Sequence, residues 1–432
     1  VTSTRRVKTA VAAAGISSFA LLYAPQPVLP QLAAQYHLDP GGAALAVSVA
    51  TGALAIAVLP IAALSEVIGR RPVILTSVIA SVVFGLLLPL MPTYPALLVL
   101  RALQGVAIAG FPGVAAAYLA ERLGRAGVAA AVGAMIAGNT IGGMLGRLAS
   151  GFTAGPLSWR GALFVVAGVG AICSAITVVT LPPGTRPRGD AQLRAVARGL
   201  VTALSKRVLL AQYAVALLAM GSFVALYNAA GFRLTGHPLD LSPAIASLVF
   251  LAYATGSVSS AAAGRLVARV GRRRALIGAL LLTAVGAALT LPNSLPLVIA
   301  GFLVLTCAFF AAHAVANGWA AADAPENARG QVGGMYTATY YLGSSVGGAA
   351  GAWVYGHAGW PWLIALVTVW LLLAAAAVGA WTAPARPWGA SPFQSIGVGR
   401  HNRPEPASCP QSGGPVDKYS GRRRDQQSAA HR

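Results

Sequence analysis

The sequence predicts an all-α membrane protein with twelve transmembrane helices in two pseudo-symmetric six-helix bundles. Three observations predict it. The 432 residues are 56% hydrophobic and only 9% charged, with a mean hydropathy of +0.70, whereas soluble domains carry about 25% charged residues. Apolar runs of ~20 residues follow one another about a dozen times, each long enough for a hydrocarbon core of ~30 Å. None alternates with the period of two that a membrane barrel strand needs. Finally, a short glycine–arginine signature occurs twice. It reads Leu64-Ser-Glu66-Val-Ile-Gly69-Arg70-Arg71 and then Gly264-Arg-Leu266-Val-Ala-Arg269-Val-Gly271-Arg272-Arg273, so the turn glycines are 271 − 69 = 202 residues apart. Six helices occupy about that length, and the second half reads as a repeat of the first.

Helix 1 is expected over Ala10–Ala33, behind the basic Arg5, Arg6 and Lys8. Such a start superficially suggests a secretory leader, but the apolar run is too long and no small-residue cleavage site ends it. Pro25 and Pro27 should break this helix near mid-membrane and free carbonyls that need a neighbour or a cavity. Helix 2 covers Ala43–Leu64 and helix 3 Val73–Pro89, reversed at Gly69 because glycine tolerates positive φ. Helix 4 (Ala96–Leu119) carries Arg101 in its outer half. Helix 5 (Val128–Gly151) carries Gly138, Gly142, Gly143 and Gly146, whose spacing lets two helix backbones approach, as plain helix packing or as a surface that rocks between states. Helix 6 (Gly161–Leu181) completes an N-terminal bundle spanning residues 1–183.

A basic linker, 184–207, leads to the C-terminal bundle, 208–384. Its helices are expected at Val208–Gly231, Ser242–Ala263, Ala275–Leu291, Leu297–Ala321, Gln331–Tyr355 and Trp362–Ala383, numbered 7 to 12. Every interruption contains Pro, Gly or charge. The segment 385–432, rich in Pro, Gly, Ser and Arg, reads as a disordered tail. The repeat extends into the helices. Leu22-Tyr23 is echoed by Leu226-Tyr227, Gly138, Gly142 and Gly143 by Gly343, Gly347 and Gly348, and Arg125 by Arg329.

With both termini inside, all but Arg101, Arg147, Arg160 and Arg233 of the 31 basic residues fall on inner segments. The net charge of +21 is therefore a topology signal for a bacterial-type cytoplasmic membrane. A nucleic-acid partner is not expected, and inner arginines should touch anionic lipid. Cys173, Cys307 and Cys409 form neither a disulfide framework nor a metal spacing, so no cofactor is expected, and the chain is taken as a monomer.

Twin Gly-Arg-Arg loops, a long basic linker and two six-helix halves resemble the major facilitator superfamily over nearly the whole chain except the tail. Leu22-Tyr-Ala-Pro25-Gln26-Pro27-Val-Leu-Pro30 and Gly138-Asn139-Thr-Ile-Gly142-Gly143-Met144-Leu-Gly146-Arg147 are similar to patterns of its acriflavine-sensitivity branch of drug:proton antiporters. Arg101-Ala-Leu-Gln104-Gly105 is similar to the helix 4 motif that the family's proton-coupled antiporters share. The resemblance implies a cavity where helices 1, 4, 7 and 10 meet. Tyr23, Pro25, Gln26, Asn139, Tyr227, Asn228 and Asn317 are its candidate lining, with helix–helix hydrogen bonding as the competing reading of each polar one.

It also implies a cytoplasmic gate built from Glu66, Gly69, Arg70, Arg71, Arg122, Gly264, Arg269, Gly271, Arg272 and Arg273. Glu66 would pair with an arginine such as Arg122, or face a helix N-terminus. Plain topogenic charge is the alternative. The chain departs from the family pattern at Val67, where a basic residue is common, and at Ala62, where glycine is. It departs again at Ala268, which replaces an acid, and at Asn139, where proline is common. These departures imply a one-sided latch.

An unpaired charge within a span is expensive and marks function, so Arg101 and Arg147 are coupling candidates. Arg147 lies within snorkelling reach of the outer headgroups. No predicted span has Asp or Glu near its centre. The titratable group in reach is His313, mid-depth in helix 10, with an ordinary pKa of about 6.5. A positive buried charge favours neutral or anionic substrates over lipophilic cations. An enzyme is not expected, because nucleophile, metal cluster and paired carboxylates are missing near the midplane. ATP drive is disfavoured without a Gly-x-x-x-x-Gly-Lys-Ser/Thr loop, and linker and tail are too poor in apolar residues to fold a sensor's output domain. The expectation is a secondary transporter that exports small drug- or metabolite-like organic compounds by alternating access as a proton antiporter. Its rivals are a proton-independent uniporter or exchanger, and an importer of a neutral or anionic metabolite.

Overall fold

The computed structural model describes residues 2–123, 125–183 and 193–382, and within them every regular element is helical. The expected tail and the first part of the linker lie outside the described residues. Among the described residues, nine helical segments are long and apolar enough to cross a membrane. One of them holds two passes, because the run Arg125–Thr180 breaks at Ser158, with φ 57° and ψ 173°. Its limbs run in opposite directions along helix 1. Gly138, Gly142 and Gly146 lie on Ala12, Ile16 and Ala20, whereas Gly170 and Thr177 return to Ser17 and Ala10. The arginine-led Arg272–Ala288 and the tyrosine- and glycine-rich Arg329–Ala358 complete the twelve passes.

Several helices outrun their expected ends. Helix 1 starts at Thr2, helix 2 spans Pro40–Ile68, and helix 8 ends at Val270. Apolarity stops at the headgroups, but arginine stems continue a helix through them. Asp39 caps helix 2 by accepting from the Gly42 N–H at 2.9 Å. Three helices are broken within their spans. Helix 1 ends at Tyr23, passes through a 3₁₀ turn at Gln26–Val28 and resumes over Leu29–Tyr36. Helix 4 is divided into Tyr94–Ala109 and Pro112–Arg122, because Pro112 cannot donate to the preceding turn. Helix 8 holds a 3₁₀ turn, Leu248–Ala252, between Pro243–Ser247 and Tyr253–Val270. An additional amphipathic helix, Leu193–Ser205, lies in the expected linker.

The glycine repeat works within each half. Helix 5 rides on helix 1 through Gly138 on Ala12, Gly142 on Ile16 and Gly146 on Ala20. Helix 11 (Arg329–Ala358) rides on helix 7 (Arg207–Thr235) through Gly343 on Leu217, Gly347 on Gly221 and Gly351 on Ala225. Both 138 − 12 and 343 − 217 equal 126, so the two halves use one packing register. These glycines therefore join helices inside a half, which is the packing reading of their spacing rather than that of a rocking surface. Gly351, the counterpart of Gly146, was missing from the expected set.

Contacts between the halves run mainly along helices 2 and 11. Gly41 lies under Trp353, Pro40 against Gly356, and Leu59 against Gly334. Ser345 Oγ donates to Ser48 O at 2.7 Å. Gly151 meets Ser247 of helix 8, and Pro30 meets Gly231. Most of these contacts sit at the end opposite the Gly-Arg-Arg loops. The outer surface is apolar, with Ile56 77% and Val179 84% exposed; a belt of this kind belongs against lipid.

Candidate functional site

Pro25 has no N–H to give to Leu21 O, so the first segment of helix 1 ends inside the bundle with unspent carbonyls and a partial negative charge. Arg101 occupies that end and is 0% exposed. It donates to Leu21 O at 3.2 Å, to Leu22 O and Ala46 O at 2.6 Å each, and to Gln104 Oε1. Gln104 Nε2 then donates to Ser81 O at 3.0 Å. The charge is solvated by backbone dipoles; Arg101 ties helices 1, 2 and 4 together, and Gln104 adds helix 3. Arg101 thus sits behind the break of helix 1, inside the N-terminal half. In the C-terminal half helix 7 is unbroken, and the Tyr227 hydroxyl lies 2.7 Å from Thr306 Oγ1 of helix 10.

Arg147 does not snorkel; it is 2% exposed. Helix 5 continues past Gly151 to the break at Ser158, which leaves Arg147 far from the helix end. Its guanidinium lies 4.0 Å from the Tyr23 ring centroid, 4.6 Å from Tyr253 and 5.4 Å from Phe250. The unexpected 3₁₀ turn of helix 8 explains the last two. In such a turn positions i and i+3 eclipse, so Phe250 and Tyr253 cover the same cation. Arg147 Nε donates to Gln26 Oε1 at 2.5 Å and Nη1 to Gly143 O at 2.8 Å. Gln26 Nε2 donates to Asn228 Oδ1 at 2.7 Å. A three-residue relay, Arg147–Gln26–Asn228, therefore crosses from the N-terminal to the C-terminal half. At its far end Asn228 Nδ2 is buried without a partner, as is Ser48 Oγ, while Ser344 lies against the Tyr23 hydroxyl.

The other candidates separate. Tyr227 is buried in an aromatic cluster with Phe223, Phe250, Tyr253 and Phe302. Phe223 stacks on Phe309 at 4.0 Å, and Phe309 on His313 at 6.2 Å, so a column of rings joins the relay region to helix 10. His313 Nδ1 is 3.1 Å from the Tyr336 hydroxyl. Asn317 is not central. It is exposed, one turn further along helix 10, and lines a cavity of about 120 Å³ with Arg329, Val332 and Tyr336. Asn139 stands against Gly15 of helix 1, which puts it on the helix–helix seam. Phe250, Tyr253, Ser48 and Ser344 escaped sequence reasoning, because nothing local distinguishes them from other residues of their spans.

Gly69 and Gly271 do turn at positive φ, 96° and 82°. The ion pairs differ from those expected. Glu66 is exposed and makes no ion pair among the described residues; Arg122 and Arg269 are also exposed, and Gly264 faces open space. Arg70 instead pairs with Glu121 at 3.0 Å and Arg272 with Asp323 at 3.4 Å. The pairs are symmetric, since 272 − 70 and 323 − 121 both equal 202. Each fastens a hairpin to the end of the next helix in its own half. Arg71 donates to Leu181 O at 3.2 Å and Arg273 to Gly379 O at 2.7 Å. Because the Arg70–Glu121 pair is partly solvated, Arg70→Gln should change stability by less than about 1 kcal/mol in denaturant titration.

The sequence profile of the Major Facilitator Superfamily matches residues 11–236 and 234–410. The chain is 35% identical over 372 residues to the uncharacterized MFS-type transporter YybF of Bacillus subtilis, covering 86% of this chain and 92% of that one. It is 37% identical over 371 residues to the inner membrane transport protein YnfM of Escherichia coli, covering 85% and 88%. A 225-residue stretch, 50% of this chain and 54% of the relative, is 27% identical to the multidrug resistance protein MdtG of Salmonella paratyphi C. Among solved structures, a bacterial homolog to the human lysosomal transporter Spinster, inward-facing and unoccupied, superposes with a TM-score of 0.73 at 16% identity, over 87% of this chain and 96% of that one. Two matched family segments, relatives covered almost end to end and a shared twelve-helix fold make this chain a member of the major facilitator superfamily, an integral membrane transporter and not an enzyme.

Proposed function

We propose that this chain exports small organic compounds across a bacterial inner membrane by alternating access, with protons moving inward as the drive. The relay Arg147–Gln26–Asn228 is the observation that carries the reading. It is a buried polar centre with unfilled hydrogen-bonding capacity, placed where two repeated halves meet, and secondary transporters bind substrate at such repeat interfaces. Export is supported by the helix 1 and helix 5 patterns and by the partial likeness to MdtG. The helix 4 motif supports proton coupling. Described acids sit at helix ends or in connections, so His313 is the proton carrier in this reading, joined to the centre by the column of rings. The basic loops support a topology with both termini in the cytoplasm, in which the twin hairpins stiffen the cytoplasmic end of each half.

The test is the full chain in liposomes loaded with a pH dye and challenged with cationic, neutral and anionic compounds. Substrate-triggered proton flux is expected in the wild type and should be lost in His313→Gln while substrate binding persists. Substrate movement with no proton flux would make the protein a uniporter or exchanger and remove His313 from the mechanism.

A further inference from the structure

We infer that the central site binds the carboxylate of a small organic acid, with Arg147 supplying the charge and Asn228 Nδ2 a direct hydrogen bond. This rests on the transporter reading and names its substrate class. The polarity of the relay carries the inference. An arginine can only donate, so the Gln26 atom it meets must be the oxygen. Gln26 then presents its NH₂ group to Asn228, which must answer with its own oxygen. That leaves Asn228 Nδ2, a donor, buried and unpartnered at the end of the chain. One fixed cation thereby dictates that the open end of the network seeks an acceptor.

Two neighbours point the same way. A methyl placed on Gly348 would come to 2.8 Å from Asn228 Nδ2 and 3.2 Å from Ser48 Oγ, so both polar atoms border one small-residue wall. Ser48 Oγ is also buried without a partner and has a proton to give. The charge balance agrees. No ion pair among the described residues involves Arg147. Arg101, equally buried, makes four hydrogen bonds to protein acceptors, three of them backbone carbonyls; Arg147 meets the carbonyl oxygens of Gln26 and Gly143 and the Tyr253 hydroxyl. A buried cation with neutral partners and no counter-ion is costly until an anion arrives.

The purified full chain in detergent would be titrated calorimetrically with benzoate, phenylacetate, salicylate and hexanoate, each against its amide and the matching primary amine. At least one acid should bind ten-fold or more tightly than its amide, with no measurable binding of its amine. Asn228→Asp replaces the open donor by an acceptor and should abolish the preference for the acid. Gly348→Ala, which intrudes on the same wall by one methyl, should weaken acid binding at least five-fold while the protein elutes as the wild type does. Amides or amines that match the acids, no acid binding at all, or an unchanged preference in a folded Asn228→Asp protein would overturn the inference. In liposomes, movement of amides or amines but of no acid would overturn it and leave the transporter reading standing. Acid binding with no movement of any compound would uphold the site and overturn transport.

Discussion

Replacing Arg101 with methionine is expected to lower the stability of the purified protein by several kcal/mol and to abolish transport. The substitution keeps the apolar stem and removes every donor at the break of helix 1. Leu21 O and Leu22 O then lose their partners inside the membrane. A buried acceptor left unsatisfied costs roughly 1–3 kcal/mol, and the negative end of the helix loses its counter-charge as well. Arg101→Lys should rescue only part of this, since one ammonium cannot span Leu21, Leu22, Ala46 and Gln104 as a planar fork does. Unfolding in mixed micelles, with hydrogen exchange read over residues 20–30, measures both effects. Fast exchange at the break together with lost stability marks a clamp. Wild-type stability with proton flux alone lost would instead make Arg101 a coupling residue, as the helix 4 motif implies, and remove its role as a clamp.

Much of the architecture was legible because its causes are local. Apolar length, positive-φ glycines at 69 and 271, and prolines at 25 and 27 act through neighbouring backbone, and each appears where it was expected. The packing register was half legible. Gly343, Gly347 and Gly348 stood out as echoes of helix 5, but only the structure shows that the first two press on helix 7 while Gly348 borders the relay. Ion pairs are not legible locally, because they depend on which helix ends meet. Glu121 and Asp323 share the 202-residue offset of the signature, and that offset is the sequence signal for the two pairs. Arg147 was misplaced for a different reason. Residues 151–157 include Gly, Thr and Pro, which read as a loop by the rules of water. Where water is scarce the backbone must bond to itself, so the helix continues and the arginine is carried inward. The 3₁₀ turn that brings Phe250 and Tyr253 onto that arginine has no such local mark.

A single methyl at Gly142 should have the second largest effect. In Gly142→Ala the new carbon would strike the backbone of Ile16, Cα and carbonyl alike, and backbone cannot rotate aside as a side chain can. Overpacking typically costs about 1–3 kcal/mol, and this contact should lie at the upper end. Gly347→Ala, its counterpart in the other half, meets the backbone of Gly221 and should lose a similar amount. Gly133→Ala in the same helix as Gly142 is the contrast, since nothing lies within 4 Å of the added carbon. There the better helix former should stabilise by about 0.5–1 kcal/mol. The consequence for function is geometric. Gly142 sets the distance at which helix 5 holds Arg147 against Gln26 of helix 1, so prying the pair apart lengthens the first bond of the relay. Denaturation in micelles and acid binding should therefore fall together in Gly142→Ala, whereas Gly347→Ala acts on the Asn228 side through helix 7. A Gly142→Ala protein as stable as Gly133→Ala would mean that helix 5 does not ride on helix 1 at this spacing. The placement of Arg147 at the centre of the molecule would then lose its support.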